Sequence, residues 1–313
     1  MVGTIILIII GAILLAALVL WLFGERWRLL RRSTWESLKA GGLRNLLNLK
    51  SLDMYIYKRW TNQYVGILIK HFVPHIVPHL RAREKRRLAD HHHSKVLTPE
   101  MARAIITNNR EIPLHDLEQV IPYSMARSLV LNAPPAVAVC ECACRHARQN
   151  PCQPTQVCMA IGQPFVDFAL EHNPESSRRL TQSEALELLR AEHERGHIHT
   201  AWFKDTLMDR LYAICNCCKC CCGGIEAMVK YGLPVLAPSG YIARVDETRC
   251  AACAICENAC PFGAIQIDDT AVVNWEACMG CGVCVGQCPN EAMSLVRDER
   301  KGVPLDVRIL AQD

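Results

Sequence analysis

The stretch that most constrains this chain runs from Cys250 to Pro289. It reads Cys250-x2-Cys253-x2-Cys256-x3-Cys260-Pro261, then Cys278-x2-Cys281-x2-Cys284-x3-Cys288-Pro289. The second run repeats the first at an offset of 28 residues, and the offset extends past the cysteines to Ala264 and Ala292 and to Ile267 and Leu295. Thiols this close in sequence converge on metal when the chain turns tightly between them. A pair of zinc knuckles shares the Cys-x2-Cys spacing, but it does not account for eight cysteines in this order, each run closed by Cys-Pro.

Both runs resemble the ligand pattern of two-cluster bacterial ferredoxins, and the resemblance covers roughly residues 240–297. In that family three closely spaced thiolates hold one 4Fe-4S cube, and the Cys-Pro cysteine ligates the other cube. The resemblance implies Cys250, Cys253, Cys256 and Cys288 on one cluster, and Cys278, Cys281, Cys284 and Cys260 on the second. It implies electron transfer.

Nineteen cysteines in 313 residues would suit a disulfide scaffold in an oxidising compartment. Thiolates kept for metal point instead to a reducing one. Val2 to Phe23 is uncharged and mostly apolar; at about 1.5 Å per residue it is long enough for a hydrocarbon core of about 30 Å. Arg26, Arg28, Arg31 and Arg32 follow it and no charge precedes it. These features predict a single-pass anchor in the cytoplasmic (inner) membrane, with the N-terminus outside and the cysteine-rich body in the cytoplasm. Residues 24–95 hold 16 Lys/Arg against 5 Asp/Glu, whereas the rest of the chain holds 19 against 26. The basic segment reads as interfacial helices attracted to anionic lipid. His71, His75 and His79 lie four apart, but Pro74 and Pro78 interrupt the helix that a haem site would need. His91-His92-His93 sits among charged residues and reads as solvated.

Thr98-Pro99-Glu100 opens a helix, helical patterns run to about Leu131, and Pro134-Pro135 ends them. Ala136 to Val139 reads as a short buried strand. The other eleven cysteines lie in two blocks. Cys140, Cys142, Cys144, Cys152 and Cys158 form the first; Cys215, Cys217, Cys218, Cys220, Cys221 and Cys222 form the second. Between them Thr181 and Glu184 make a capping box before Ala185-Leu186-Leu188-Leu189, so a helical spacer is expected to bring the blocks together around metal. Cys142, Cys144, Cys152 and Cys158 are the candidate ligands of one further cluster, and the second block supplies candidates for more. Neighbouring cysteines diverge, so the six thiols of that block face more than one centre or stay free. Structural zinc would suit four of the eleven thiols and leave the rest unexplained. Gly223 and Gly224 allow close backbone approach. His193-Glu194-Arg195-Gly196-His197 matches a zinc-peptidase signature, yet Gly196 stands where a helix should end, which takes His197 off the helix.

The order Cys-x-Cys-Arg, Cys-Asn-Cys-Cys-Lys-Cys-Cys-Cys, then a double ferredoxin motif resembles a functionally obscure group of membrane-anchored bacterial 4Fe-4S proteins, over most of the chain after residue 115. The expected fold is α+β: a transmembrane helix (1–23), a basic juxtamembrane segment (24–97), a mostly helical cysteine-rich domain (98–240), a two-cluster ferredoxin-like domain (241–297) and a tail (298–313). The expected cofactors are two 4Fe-4S clusters and at least one more in the middle domain. The expected function is electron relay between a cytoplasmic redox partner and a membrane, quinone-linked one, with redox proteins and the membrane as partners and no nucleic acid. The alternatives are an oxidoreductase whose middle domain holds a catalytic cluster, and a structural subunit of a larger complex.

Overall fold

The computed structural model describes residues 2–24, 28, 31–40, 49–111 and 134–310. The middle of the chain is not mostly helical. It is built on a seven-stranded mixed sheet in the order β4-β2-β3-β6-β5-β1-β7. The strands are β1 (His92–Leu97), β2 (Val137–Glu141), β3 (Gln156–Ile161), β4 (Ser177–Leu180), β5 (Ile198–Lys204), β6 (Leu211–Cys217) and β7 (Leu236–Ala237). Neighbours are antiparallel except β1 and β7, which run parallel.

The sheet escapes sequence reading for a physical reason. All but one residue of β5 and of β6 is buried, so neither strand alternates apolar with polar. Their inward positions also carry histidine, asparagine and cysteine instead of the usual branched aliphatics. β1 includes His92 and His93, and His93 is fully buried; of the three consecutive histidines only His91 is well exposed, beside Asp205.

One face of the sheet is covered by the helices Pro99–Ile106 and Gln182–Glu194, both with the predicted caps. Thr98 accepts from the Met101 amide, and Thr181 and Glu184 close a reciprocal box. The predicted continuation of the first helix, over residues 112–131, lies outside the described residues. The other face is covered by the helices Leu49–Arg59 and Thr61–Ile67. Here Met54, Tyr57, Phe165, Leu207 and Tyr212 form a satellite core, and Lys204 Nζ lies 2.5 Å from Asp53 Oδ2. The basic segment thus spends part of its apolar surface on protein, while Leu49, Leu52, Ile67 and Ile76 stay exposed. Its His71, His75 and His79 are exposed.

The N-terminal helix Val2–Gly24 forms. A span needs about 20 apolar residues in one helix, and among the described residues no helix is long and apolar enough to cross a membrane. The transmembrane anchor, and the inner-membrane location and topology that rested on it, are corrected accordingly.

The C-terminal part is two small antiparallel pairs and two short helices. β8 (Tyr241–Val245) pairs with β11 (Met293–Arg297), and β9 (Ile265–Ile267) with β10 (Ala271–Val273). The helices Ile255–Ala259 and Val283–Gln287 stand 28 residues apart, so the internal repeat is structural as well as sequential. The outermost strands of the repeat pair with each other across the two halves.

Candidate functional site

In the C-terminal part each cysteine run turns through left-handed backbone between its ligands. Ala252 and Ala254 have φ of 50° and 61°, and their repeat partners Gly280 and Gly282 have 63° and 83°. These turns aim successive thiols at one point. Cys250, Cys253, Cys256 and Cys288 line one small cavity together. Cys260 lies instead with Cys278, Cys281 and Cys284, close enough for its charge to push the Cys281 thiol up, after burial, to about 12. The fourth cysteine of each run is thus brought to the other run. Backbone amides point at the sulfurs both within a run and across the two copies of the repeat. Ala264 and Ala292 donate to Cys260 and Cys288 at 3.3 Å, while Ala271 donates to Cys250 and Ala243 to Cys278 at 3.5 Å. Such N–H···S contacts stabilise charge on sulfur and are one of the protein's levers on cluster potential.

The middle region collects its thiols differently. In the sheet Cys140 stands opposite Cys158, Thr200 opposite Cys215 and Ile198 opposite Cys217, so cysteines from three strands share one face. Cys142 and Cys144 follow β2, and Cys222 caps the helix Gly223–Tyr231. Six thiols line one cavity together and form a ring of neighbours, each shifting the ionisation of the next: Cys142 beside Cys144 and Cys158, Cys144 beside Cys222, Cys222 beside Cys217, Cys217 beside Cys215, and Cys215 beside Cys158. Protonation is uneven around it. Hydrogen bonds from Cys144 and Cys158 pull the Cys142 thiol well down, and the same bonds push Cys144 and Cys158 up. Gly223 lets Ile69 and the Cys144 sulfur approach: a Cβ there would stand 2.5 Å from Ile69 Cδ1 and 3.7 Å from Cys144 Sγ.

A cavity of about 640 Å³ opens on this ring, within the range of about 300–1,000 Å³ typical of ligand sites. Tyr57, Lys58, His92, Trp202 and Tyr212 are among the residues that line it. Burial brings Lys58 down to about 7 and His92 down to about 3, so the wall holds a neutral imidazole and a lysine with a labile proton. Tyr57 and Tyr212 share a hydrogen bond of 2.7 Å, and His92 Nε2 lies 2.9 Å from the Tyr212 hydroxyl.

Of the four first-block candidates, the structure brings Cys142, Cys144 and Cys158 together and puts Cys152 elsewhere. Cys152 lies beside Cys218 and His197, and Cys218 lies beside Cys220 and Cys221. Cys140 faces the cavity but bonds to the Ala138 carbonyl, and burial pushes its thiol up to about 11. The six cysteines of the second block therefore divide: Cys215, Cys217 and Cys222 join the ring, while Cys218, Cys220 and Cys221 form a separate group, of which Cys218 and Cys221 also reach the cavity wall. The helix bearing His193 ends at Glu194, with Gly196 at φ 78°, and His197 lies beyond it, so the peptidase geometry is absent. Glu192 comes to His197 through the fold, at 2.7 Å.

The two regions touch at both short C-terminal helices. Lys219 Nζ donates to the Asn258 carbonyl, two residues after Cys256, at 2.8 Å. Gln287 Nε2 donates to the Glu194 carbonyl at 2.9 Å, and a Cβ on Gly286 would lie 2.5 Å from His193 Nε2.

The family model for the 4Fe-4S binding domain matches residues 243–266 and 271–294, two tandem copies at the spacing of the structural repeat. No curated protein and no solved structure matches the chain. Residues 243–294 thus carry two 4Fe-4S motifs, and the chain has an iron–sulfur electron-transfer role in the general sense.

Proposed function

We propose that this chain is an iron–sulfur oxidoreductase in which the ferredoxin-like domain serves a second, thiol-held centre in the middle region. The single observation behind it is the six-thiol ring at the wall of a ligand-sized cavity. A centre that only passes electrons gains nothing from an adjoining space lined by a labile lysine and paired tyrosines. Iron–sulfur clusters supply one-electron chemistry when bound.

In this reading Cys250, Cys253, Cys256 and Cys288 hold one cubane, and Cys278, Cys281, Cys284 and Cys260 the other. Cys142, Cys144, Cys158, Cys215, Cys217 and Cys222 hold a polynuclear centre, because six thiols exceed what one tetrahedral ion or one cube takes. Crowded thiolates repel one another, and a cationic metal core offsets that cost. Lys58 and the Tyr57–Tyr212 pair bind and orient the substrate and hold a proton at its surface. A redox protein docks near Cys253, which is exposed.

That exposed ligand also favours a second reading, a relay between two partner proteins with no substrate of its own. EPR of the reduced, anaerobic protein with and without added cyanide separates them. An oxidoreductase shows a middle-region signal that shifts while the ferredoxin-like signals stay; a relay shows no shift in any signal.

A further inference from the structure

The geometry points to a second metal site in the middle region, a mononuclear zinc held by Cys152, His197, Cys218 and Cys221 and separate from the six-thiol ring. It rests on these residues alone and stands whether or not the ring holds iron. The Cys152, His197 and Cys218 ligand atoms lie within 4.8 Å of one another, and so do those of Cys218, Cys220 and Cys221. Cys152 Sγ is 3.7 Å from His197 Nε2, and the Cys152 amide donates to Cys221 Sγ at 3.4 Å. Donors around one tetrahedral ion, at about 2.3 Å for sulfur and 2.0–2.1 Å for nitrogen, stand about 3.5–3.8 Å apart. Donors around a cube stand farther apart, because the cube lies between them.

The histidine is also held for metal by its neighbours. His197 Nδ1 lies 2.7 Å from Glu192 Oε2 and Nε2 faces the thiols. A carboxylate that accepts from one ring nitrogen leaves the other with its lone pair directed at a metal. Glu192 is itself fully buried and fixed by Arg145 at 2.9 Å and Arg195 at 2.7 Å. Arg145 is fully buried too, so cationic charge stands behind a cluster of thiolates that would otherwise repel. His197, Cys218 and Cys221 are buried while Cys220 is exposed, which leaves Cys220 as the thiol outside the tetrahedron. Three thiolates and one imidazole fill a tetrahedral shell and leave no open coordination position, as in structural zinc sites.

The test uses full-length protein purified anaerobically, analysed for zinc and iron and by zinc X-ray absorption. About one zinc per chain is expected, in a shell of three sulfurs and one nitrogen. His197→Cys keeps the zinc and converts the shell to four sulfurs; His197→Ala loses the zinc; both leave the iron content unchanged. Cys158→Ser, in the ring, leaves the zinc in place whatever it does to iron, so failure of the oxidoreductase reading is separable from failure of this one. Zinc absent from the wild type, a zinc shell that His197→Cys does not alter, or iron lost in place of zinc from His197→Ala would each overturn the assignment.

Discussion

The two cysteine-rich regions solve the same problem in opposite ways. In the ferredoxin-like part the cysteines are gathered by local turns at left-handed backbone positions. In the middle region the thiols come from strands and from the starts of two short helices, and they line one cavity together. Local gathering leaves a spacing that can be read along the chain. Gathering by a sheet leaves none, because strand order decides which cysteines meet.

The largest expected effect separates the halves of the local solution. Cys260→Ala removes the cluster of the Cys278 run and spares that of the Cys250 run, since Cys260 sits with Cys278, Cys281 and Cys284. EPR reads this directly; loss of the Cys250-run signal instead would break the exchanged pairing.

Next comes the ion pair behind the middle thiols. Glu192→Ala leaves Arg145 buried without its carboxylate, which costs about 3–5 kcal/mol. A large fall in the urea midpoint is expected, and an unchanged midpoint would show that the Pro154 and Asn216 carbonyls, which Arg145 also reaches, suffice.

The smallest effects compare the two copies of the repeat. Gly280→Ala puts a Cβ 2.1 Å from the Tyr241 carbonyl and is destabilising. Its counterpart Ala252 already sits at positive φ, so Ala252→Gly relieves strain of about 1 kcal/mol. Thermal shift measurements should move in opposite directions; a fall for both would mean that the Cβ of Ala252 packs usefully.

How much was legible follows from the same contrast. The Thr98 and Thr181 caps and the end of the helix before His197 were readable because each depends on residues within a few positions; the grouping of Cys288 with the first run and Cys260 with the second came from the ferredoxin resemblance, not from local spacing. The sheet was not readable. β5 reads Ile-His-Thr-Ala-Trp-Phe-Lys and β6 reads Leu-Tyr-Ala-Ile-Cys-Asn-Cys, sequences buried on both faces that show no period of two. The grouping of Cys152 with Cys218, and not with Cys158, depends on that sheet. So does the burial of His92 and His93, whose charged neighbours in sequence are not their neighbours in space. The divergence of adjacent cysteines in the second block was foreseeable from chain geometry alone, and the structure supplies the two destinations.

Whether the six-thiol ring holds its own polynuclear iron–sulfur centre is decided by iron and acid-labile sulfide per chain, measured on anaerobic full-length protein beside Cys158→Ser. Wild-type iron is expected well above the roughly eight that two cubanes require, falling to about eight in Cys158→Ser with the ferredoxin-like EPR signals intact. About eight irons in both proteins would contradict it.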